Sequence, residues 1–459
     1  MGRPSACYPV AMPSVTFDWA TDRWTDPWTG TEVVRLAPEE GLHVHISYFR
    51  STAFTRDGTR LALRGDDPEG RRPSCIWAID LQSGDAERVH EYRVPDDGSA
   101  GLAGWAVSPQ SHLMQVAERV GDRSEIVRID LDHGATTRIE PDRPLPHIVF
   151  AECTADDRYA FAYEALKDRE LPARTTPLER AAILGSEPGP NLMYRIDLHT
   201  GAVDTIIETD QFWVGHPNPN PVDSSLFMCC QEGYYFTERY PSPLDMQRQR
   251  ILDLSSGRWL DLQGRLRSRG THEHWSADGE RVYSHGWPFG CHAIHVNDLK
   301  RDRASRYLGR PGIGDSIHMT PAPDESFMTG DGRSFSIVDV GLLESLGQDA
   351  SPTSTHPWDG LHNNRSATEI IWKFELPEET VWPEVREFQS DAEACQATVD
   401  HPDHVVTTTP ICRFRSMPRL KMRAGRFETN VHITPDSRWA VFQSVSEQGL
   451  YEVWAARVK

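Results

Sequence analysis

The chain has 459 residues, a formal net charge of −20 at pH 7 and 25% charged residues. This acidity argues against nucleic acids and anionic membranes as partners, because both are held by clustered Lys and Arg. The N-terminal stretch MGRPSACYPVAMPSVTFDW lacks the apolar centre of a signal peptide, and no run of about 18 apolar residues appears anywhere. We therefore expect a cytoplasmic protein.

A unit made of an apolar run, a short polar turn and an alternating strand recurs along the sequence. The first copy reads AFTRDGTRLAL and the last reads ITPDSRWAVFQ. Seven copies begin, in chain order, at Ala53, Ala106, Cys153, Asn220, Trp275, Pro321 and Ile433. Their turns contain the residues that tight hairpins need, because Asp and Gly tolerate left-handed backbone and Pro presets φ.

A second signature follows most copies, an alternating strand that ends in Asp and a turn. It reads IWAIDLQSG, IVRIDLDHG, MYRIDLHTG and RILDLSSG in four of them. Each unit therefore supplies about four strands, and seven units predict an all-β fold, a seven-bladed β-propeller of four-stranded antiparallel blades. We expect residues 1–459 to form this single domain, with a strand at 31–36 completing the last blade and closing the ring.

The last two turns are much farther apart in the sequence than the others. A long segment separates Asp324 from Asp436, and residues 341–415 fill it with a polar stretch followed by one rich in Glu and Pro. We expect blade six to carry a long insertion or lid at about 341–415. Loops of that length are often functional.

Polar side chains recur at one position ahead of the turn in the later units. His272 lies six residues before Asp278, and His318 and Asn430 lie at the same distance before Asp324 and Asp436. The strand before the turn is the innermost strand of a propeller blade, so these three side chains should converge on the central channel. A lone histidine near a channel is more often a hydrogen-bonded structural residue, but this registration across blades favours a functional site.

Neighbouring positions add further candidates. Strand alternation puts Glu428 and His432 on the same face as Asn430, because residues two apart in a strand point the same way. His216, on the preceding blade, lies one residue farther from its turn, and His45 lies in the segment HVHISYF that leads into the first unit. These residues could join the same channel site.

Several of the candidates belong to short motifs. The motifs are YF-x3-AFTRDG at 48–58 with His45 upstream, GHP at Gly215, C-x-EG at Cys230, THE-x-W at Thr271, GDG at Gly330 and TPD at Thr434. Together they resemble the oligogalacturonate lyase family of polysaccharide lyases, seven-bladed propellers that cleave uronate-containing oligosaccharides. The resemblance is segmental, but it spans most of the chain.

The resemblance implies two catalytic residues. The His of the THE-x-W motif is similar to the family's general base, which falls on His272, and the arginine that binds the substrate carboxylate falls on Arg248. Arg250, two residues along, is the alternative. Candidates for substrate binding are His45, His216, Arg250 and Trp275. An aromatic residue such as Trp275 more often has a packing role.

The resemblance also implies a divalent metal. The family's metal-binding His matches His318, but its other ligands, a Gln and an HxH pair, fall on Gly425, Glu428 and Asn430, with His432 as an additional imidazole. The metal site is therefore altered or lost relative to the family. Imidazole, carboxylate and amide oxygen together suit Mn²⁺ or Ca²⁺ better than structural Zn²⁺.

The prediction that follows is a lyase acting on a pectin-derived or related acidic oligosaccharide. β-Elimination removes the C5 proton beside a uronate carboxylate, so it needs a base and a cationic group that neutralises the carboxylate, and it leaves a 4,5-unsaturated uronate end. Two alternatives stay open, a sugar hydrolase or isomerase on the same fold and a non-catalytic propeller that binds a protein. The sequence has no Gly-x-Ser-x-Gly elbow of a serine hydrolase, and it leaves the oligomeric state open.

Overall fold

The regular elements of the described part of the chain, in a computed structural model, are all β-strands. The structure describes residues 14–92, 102–120, 123–145, 149–164, 191–209, 213–232, 249–260, 269–287, 293–300, 303–310, 316–332, 368–377, 405–415, 429–446 and 449–458. In these ranges there is no helix with the length and apolar character that a bilayer crossing needs.

The strands form seven four-stranded antiparallel blades, which confirms the predicted seven-bladed β-propeller. Blades one to three contain β3 (His43–His45), β4 (Arg60–Asp66), β5 (Ser74–Asp80) and β6 (Ala86–Tyr92), then β7 (Leu102–Val107), β8 (Leu113–Val120), β9 (Arg123–Asp130) and β10 (Thr136–Ile139), then β11 (Val149–Cys153), β12 (Tyr159–Glu164), β13 (Asn191–Asp197) and β14 (Val203–Thr209). Blades four and five contain β15 (Trp213–Pro219), β16 (Leu226–Glu232), β17 (Gln249–Asp253) and β18 (Arg258–Leu260), then β19 (Arg269–Trp275), β20 (Arg281–Trp287), β21 (Ala293–Asp298) and β22 (Arg303–Arg310).

The last two blades are assembled from segments that are distant in the sequence. Blade six contains β23 (Ser316–Pro321), β24 (Phe327–Gly332), β25 (Thr368–Glu375) and β26 (Val405–Arg415). The segment 341–415 therefore supplies the two outer strands of this blade, while residues 333–367 and 378–404 lie outside the described part. Blade seven contains β27 (His432–Ile433), β28 (Trp439–Val445), β29 (Tyr451–Arg457) and, from the N-terminal region, β2 (Glu32–Arg35), with β1 (Arg23–Thr25) beyond it.

In the hairpins that carry the second sequence signature, the Asp side chain stabilises the turn. Asp80 Oδ1 accepts hydrogen bonds from the backbone N–H groups of Gln82 at 2.9 Å and Ser83 at 3.0 Å, and Gly84 follows with a φ of 80°. The same pattern recurs at Asp130, Asp197 and Asp253. These turns form because the carboxylate satisfies two backbone donors and Gly adopts the left-handed conformation without a steric penalty.

One residue begins the turn between the first two strands of each blade. Its backbone N–H donates a hydrogen bond to the carbonyl of the residue that starts the second strand. In blades four to seven these residues, the turn anchors, are Asn220, Ser276, Ala322 and Thr434. An anchor hydroxyl also bonds to the turn aspartate, as Thr434 Oγ1 does to Asp436 Oδ1 at 2.6 Å. The turn anchors provide a common reference point for comparing positions between blades.

The hydrophobic core lies between the blades rather than in one central mass. Buried apolar side chains of the described residues form seven clusters, each made by two neighbouring blades. The cluster between blades three and four, for example, packs the ring of Phe161 against that of Phe227 at 4.4 Å. This arrangement leaves the inner strand edges to line a polar central channel.

Candidate active site

Four polar residues occupy the same position, ahead of the first turn, in four successive blades. Counting four residues back from each turn anchor gives His216, His272, His318 and Asn430, a set that we name the channel ring. In the sequence, His272, His318 and Asn430 each lie six residues before a turn aspartate, whereas His216 lies seven residues before Asp223. The turn of blade four is one residue longer, so the structure brings His216 into the same ring.

The innermost strands are bulged where they carry ring residues. The pairing of β15 with β16 and of β19 with β20 shifts by one residue at this level. His216, His272 and Asn430 take φ values of 49°, 55° and 48°. A bulge redirects a side chain, and left-handed backbone is costly for a residue with a Cβ, so such strain is typical of functional sites.

Residues 47–50, the channel finger, leave the innermost strand of blade one and contact the ring. The centroid of the Phe49 ring lies 5.2 Å from that of His272 and 4.8 Å from that of His318, and the Tyr48 ring lies 6.3 Å from that of His216. The rings of His272 and His318 are themselves 5.2 Å apart. The finger thus contacts all three imidazoles of the channel ring.

The channel finger also engages two of the residues expected to bind metal. Asn430 Oδ1 accepts a hydrogen bond from the backbone N–H of Phe49 at 3.3 Å, and His432 Nε2 donates one to the backbone carbonyl of Ser47 at 2.9 Å. Burial lowers the pKa of His432 to about 4, so its ring is neutral near pH 7. Each side chain therefore uses one potential metal-ligating atom to hold the finger backbone.

His318 is oriented by a buried carboxylate. Its backbone N–H donates to Asp331 Oδ1 at 2.7 Å, and its Nδ1 donates to Asp331 Oδ2 at 2.8 Å. Burial alone would raise the pKa of Asp331, but the interaction with His318 outweighs it and holds that pKa below its ordinary value. This carboxylate–imidazole pair leaves Nε2 as the ring atom for a metal, the arrangement usual for metal-binding histidines.

A thiol and a carboxylate lie beside His216. Cys230 Sγ is 3.5 Å from His216 Nδ1, and it donates a hydrogen bond to Glu273 Oε2 at 2.9 Å. Cys230 and Glu273 are each only 1% exposed, whereas His216 is partly exposed. Blades four and five thus contribute to one compact group of three metal-ligating side chains.

Beyond the channel ring, a cavity of about 240 Å³ extends from the finger towards the turns of the inner strands. Its polar lining includes Arg50, Glu152 and His274, and the Ser51 hydroxyl donates a hydrogen bond to Glu152. Burial lowers the pKa of His274 well below its ordinary value, and the nearby charge of Arg50 adds to this effect. His274 is therefore a neutral imidazole of the channel interior.

His45 lies apart from the described contacts of the channel ring. Its Nε2 is 3.2 Å from Asp66 Oδ2, and its ring is 5.0 Å from that of Tyr451 on blade seven. Burial, and then the charge of Arg64, lower the pKa of His45 to about 4. The structure thus places His45 in a partly buried polar group between blades one and seven.

Two other candidates for substrate binding have structural contacts. Trp275 is 7% exposed, lies in the core cluster between blades four and five, and donates its indole N–H to the carbonyl of Asn218 at 3.0 Å. The Arg250 guanidinium stacks 4.7 Å from the ring centroid of Trp259, an outer-strand residue. These contacts give Trp275 a packing role and direct Arg250 towards the outer part of its blade.

The family model for oligogalacturonate lyases matches residues 14–340 of the chain, which is more than half of its length. The chain belongs to the oligogalacturonate lyase family. This match confirms the resemblance drawn from the short motifs.

Named relatives agree with this membership. An oligogalacturonide lyase of Pectobacterium atrosepticum is 27% identical over 291 residues, which are 62% of this chain and 65% of that protein. An oligogalacturonate lyase of Dickeya dadantii is 27% identical over 283 residues, 60% of this chain and 63% of that protein. The chain therefore spans slightly less than two thirds of the length of both relatives.

Solved structures of oligogalacturonate lyases share the fold. One, in complex with manganese, superposes with a TM-score of 0.63 at 19% identity and covers 95% of this chain and 96% of its own. Another, from Vibrio parahaemolyticus, has a TM-score of 0.66 at 17% identity with the same coverage. At these identities the likeness establishes the propeller fold.

Some site residues expected for an oligogalacturonate lyase family member lie outside the described part of the chain. They are Arg248 and Glu428, and Gly425, which stands where the family has a Gln ligand, also lies outside it. Sequence reasoning also overlooked residues that the structure brings into the site, namely Phe49, Cys230, Glu273 and Asp331. Each belongs to a motif of the family resemblance, so the signal was present in the residues beside the histidines.

Proposed function

We propose that the chain is a lyase that cleaves an acidic, uronate-containing oligosaccharide by β-elimination. The observation that carries this proposal is the channel ring, three imidazoles on three neighbouring blades that the channel finger contacts together. Membership of the oligogalacturonate lyase family supports the reaction class. The names of the relatives support a pectin-derived substrate.

His272 is the proposed base. Its side chain is partly exposed at the channel mouth, and the rings of Phe49 and His318 pack against it at 5.2 Å, which restricts its motion. In the proposed step the C5 proton moves to the His272 ring and its bonding pair forms the C4–C5 double bond. The C4–O bond breaks with its electron pair on the leaving oxygen, which takes a proton from solvent. Arg248 is proposed to bind the uronate carboxylate, with Arg250 as the alternative, because charge neutralisation makes the C5 proton acidic.

A divalent ion, Mn²⁺ or Ca²⁺, is proposed to assist at the substrate carboxylate, where it would supply Lewis-acid stabilisation. His318 fits such a role, because Asp331 orients its ring as in other metal sites. Asn430 and His432 fit less well, because each has a potential ligand atom engaged by the finger backbone. The described residues thus match one imidazole of the expected ligand set, with Glu428 as a further proposed ligand.

The first experiment follows the ultraviolet absorbance of 4,5-unsaturated uronate when the protein is incubated with a panel of uronate oligosaccharides. Wild-type protein is expected to raise the absorbance, and His272→Ala to lower the rate by about 100-fold or more, the usual contribution of a general base. His133→Ala, at an imidazole whose side chain is 77% exposed, is the control and should retain the wild-type rate.

Absence of unsaturated product across the whole panel, with and without Mn²⁺ or Ca²⁺, would overturn the lyase proposal in favour of a hydrolase, an isomerase or a protein-binding propeller. Equal rates for His272→Ala and wild type would remove His272 from the mechanism while leaving the reaction class intact.

The proposal extends to the protein as a whole. We propose one propeller domain over residues 1–459, with an insertion or lid of blade six at about 341–415, apart from the strands β25 and β26, and a cytoplasmic location. The proposed partner is the acidic oligosaccharide alone, with neither nucleic acid nor a membrane surface involved, since the net charge of −20 opposes both.

A further inference from the structure

We infer that His216, Cys230 and Glu273 form a thiolate-containing site for a divalent metal of the zinc type, separate from the position of His318. One potential ligand atom from each residue lies within 4.8 Å of the other two, the only group of three His, Cys, Asp or Glu residues with this property among the described residues. The inference concerns metal binding and does not depend on the proposed lyase reaction.

The three groups are already close enough to share one ion. The Cys230 Sγ atom lies 3.5 Å from His216 Nδ1 and 2.9 Å from Glu273 Oε2. Ligands of a tetrahedral zinc stand about 2.0–2.3 Å from the metal, so neighbouring ligand atoms are separated by about 3–4 Å. Small side-chain movements would therefore be enough to admit the ion.

Supporting structure holds each ligand in place. Cys230 lies in β16 and pairs with Gly215 of β15, the residue before His216. The backbone carbonyl of Glu273 accepts a hydrogen bond from the side chain of Asn218 at 3.2 Å, which ties the bulge of blade five to blade four. The ligands therefore come from paired strands and bulges rather than from free loops.

The ligand set indicates which metal binds. Thiolate and imidazole are ligands that favour Zn²⁺ over Mn²⁺ and Ca²⁺, which prefer oxygen. Three protein ligands leave a fourth position for water or substrate, the usual pattern of catalytic rather than structural zinc. Two ligands are buried and His216 is partly exposed, so the site borders the channel mouth next to His272, the residue before Glu273 in the chain.

The test is binding of Co²⁺ and Zn²⁺ to the full-length protein after treatment with a chelator. The absorption spectrum of bound Co²⁺ indicates which ligands it has. A thiolate ligand gives a near-ultraviolet charge-transfer band that nitrogen and oxygen ligands do not give. We expect one thiolate-bound Co²⁺ per chain to give this band, Zn²⁺ to displace that Co²⁺, and Mn²⁺ to displace little of it.

The adjacent cysteine provides a matched control. Cys229 is fully buried in the core cluster between blades three and four, and burial raises the pKa of its thiol to about 12. Cys230→Ser should lose the charge-transfer band and lower the Zn²⁺ affinity by about 100-fold or more, whereas Cys229→Ser should retain both. His318→Ala should also retain the band, which separates this site from the one proposed at His318.

Two results would overturn the inference. One is a wild-type protein that binds Co²⁺ without a thiolate band or binds no Co²⁺ at all. The other is a Cys230→Ser variant that keeps the band and the Zn²⁺ affinity of the wild type. In either case the three residues would be a hydrogen-bonded group that only orients His216. Because the readouts are spectra and affinities, lyase activity can be present or absent with either result.

Discussion

At the scale of single residues, the site depends on side chains that are held by backbone as well as by other side chains. Asn430 and His432 bond to the channel finger, Asp331 fixes the ring of His318, and His216 lies beside a buried thiol. Buried polar groups need such partners, because an unsatisfied group in the interior is costly. The chemistry available to each histidine is therefore set by its contacts.

The partly buried His45 should make folding stability depend on pH. Its pKa is lowered to about 4, first by burial, from an unfolded value of about 6.5. The unfolded chain then binds the extra proton first, so stability is full above pH 6.5 and is lost as the pH falls towards 4. We expect His45→Gln to reduce the decrease in unfolding free energy over this pH range by about 3 kcal/mol. The measurement is urea denaturation at several pH values.

The control for this prediction is His133→Gln. That imidazole is mostly exposed, so its replacement should leave the pH dependence of the unfolding free energy unchanged. Parallel stability curves for wild type and His45→Gln would show that His45 is not the residue that titrates.

At the scale of elements, the blades repeat one hairpin design with two left-handed positions. One is in the turn, where Gly58 and Gly279 have φ values of 71° and Ser437 has 60°. The other is in the bulge of the inner strand, where His216 and His272 have the same conformation without being glycine. In the turns, Gly adopts the left-handed conformation without backbone strain. In the bulges, residues of the channel ring adopt it with a side chain present, so the strain remains there.

The turn of blade five should not tolerate a Cβ. At Gly279 an added Cβ would clash with Asn220 Oδ1, which accepts hydrogen bonds from the backbone N–H groups of Val222 and Asp223 at 2.9 Å in the neighbouring turn. Asn220 Nδ2 also donates a hydrogen bond to the Gly279 carbonyl at 2.8 Å, which joins blades four and five. We expect Gly279→Ala to lower the free energy of unfolding by about 2 kcal/mol, measured by urea denaturation, through backbone strain and disruption of this hydrogen bond.

The opposite change is expected in blade seven. Ser437→Gly relieves left-handed strain at an equivalent turn position, so it should leave stability unchanged or raise it by up to about 1 kcal/mol. A Gly279→Ala variant as stable as the wild type would contradict this account of the turns.

At the scale of the whole molecule, the propeller is closed by pairing between its two ends. The N-terminal strand β2 pairs with β29, with Val34 opposite Ala455, and the cluster between blades seven and one includes residues from both regions. This pairing completes the four-stranded sheet of blade seven, so backbone hydrogen bonds join the first and last parts of the chain and close the ring.

Disrupting this closure should destabilise the entire ring. Val34 is fully buried, so Val34→Asp places a carboxylate in the core cluster and should lower the free energy of unfolding by about 3 kcal/mol or more. Thr25→Asp, in the exposed strand β1, is the control and should change it by less than about 0.5 kcal/mol. The loss of stability is also measured as a decrease in the thermal melting temperature. Equal decreases for the two substitutions would mean that β2 does not close the ring.

The sequence by itself determined the number of blades, the turn chemistry, the strand that closes the ring and the position of three channel-ring residues. These features depend on short-range patterns, such as the Asp and Gly of a turn or the two-residue alternation of a strand. Such patterns survive in a single sequence because each hairpin is specified locally.

Only the tertiary structure decided which of these side chains meet and how they point. A longer turn brings His216 into the channel ring, bulges redirect His272, and Cys230 meets Glu273 across two blades. The channel finger engages Asn430 from the opposite end of the chain. These contacts depend on one-residue shifts of register and on residues far apart in sequence, and a local pattern carries no information about either.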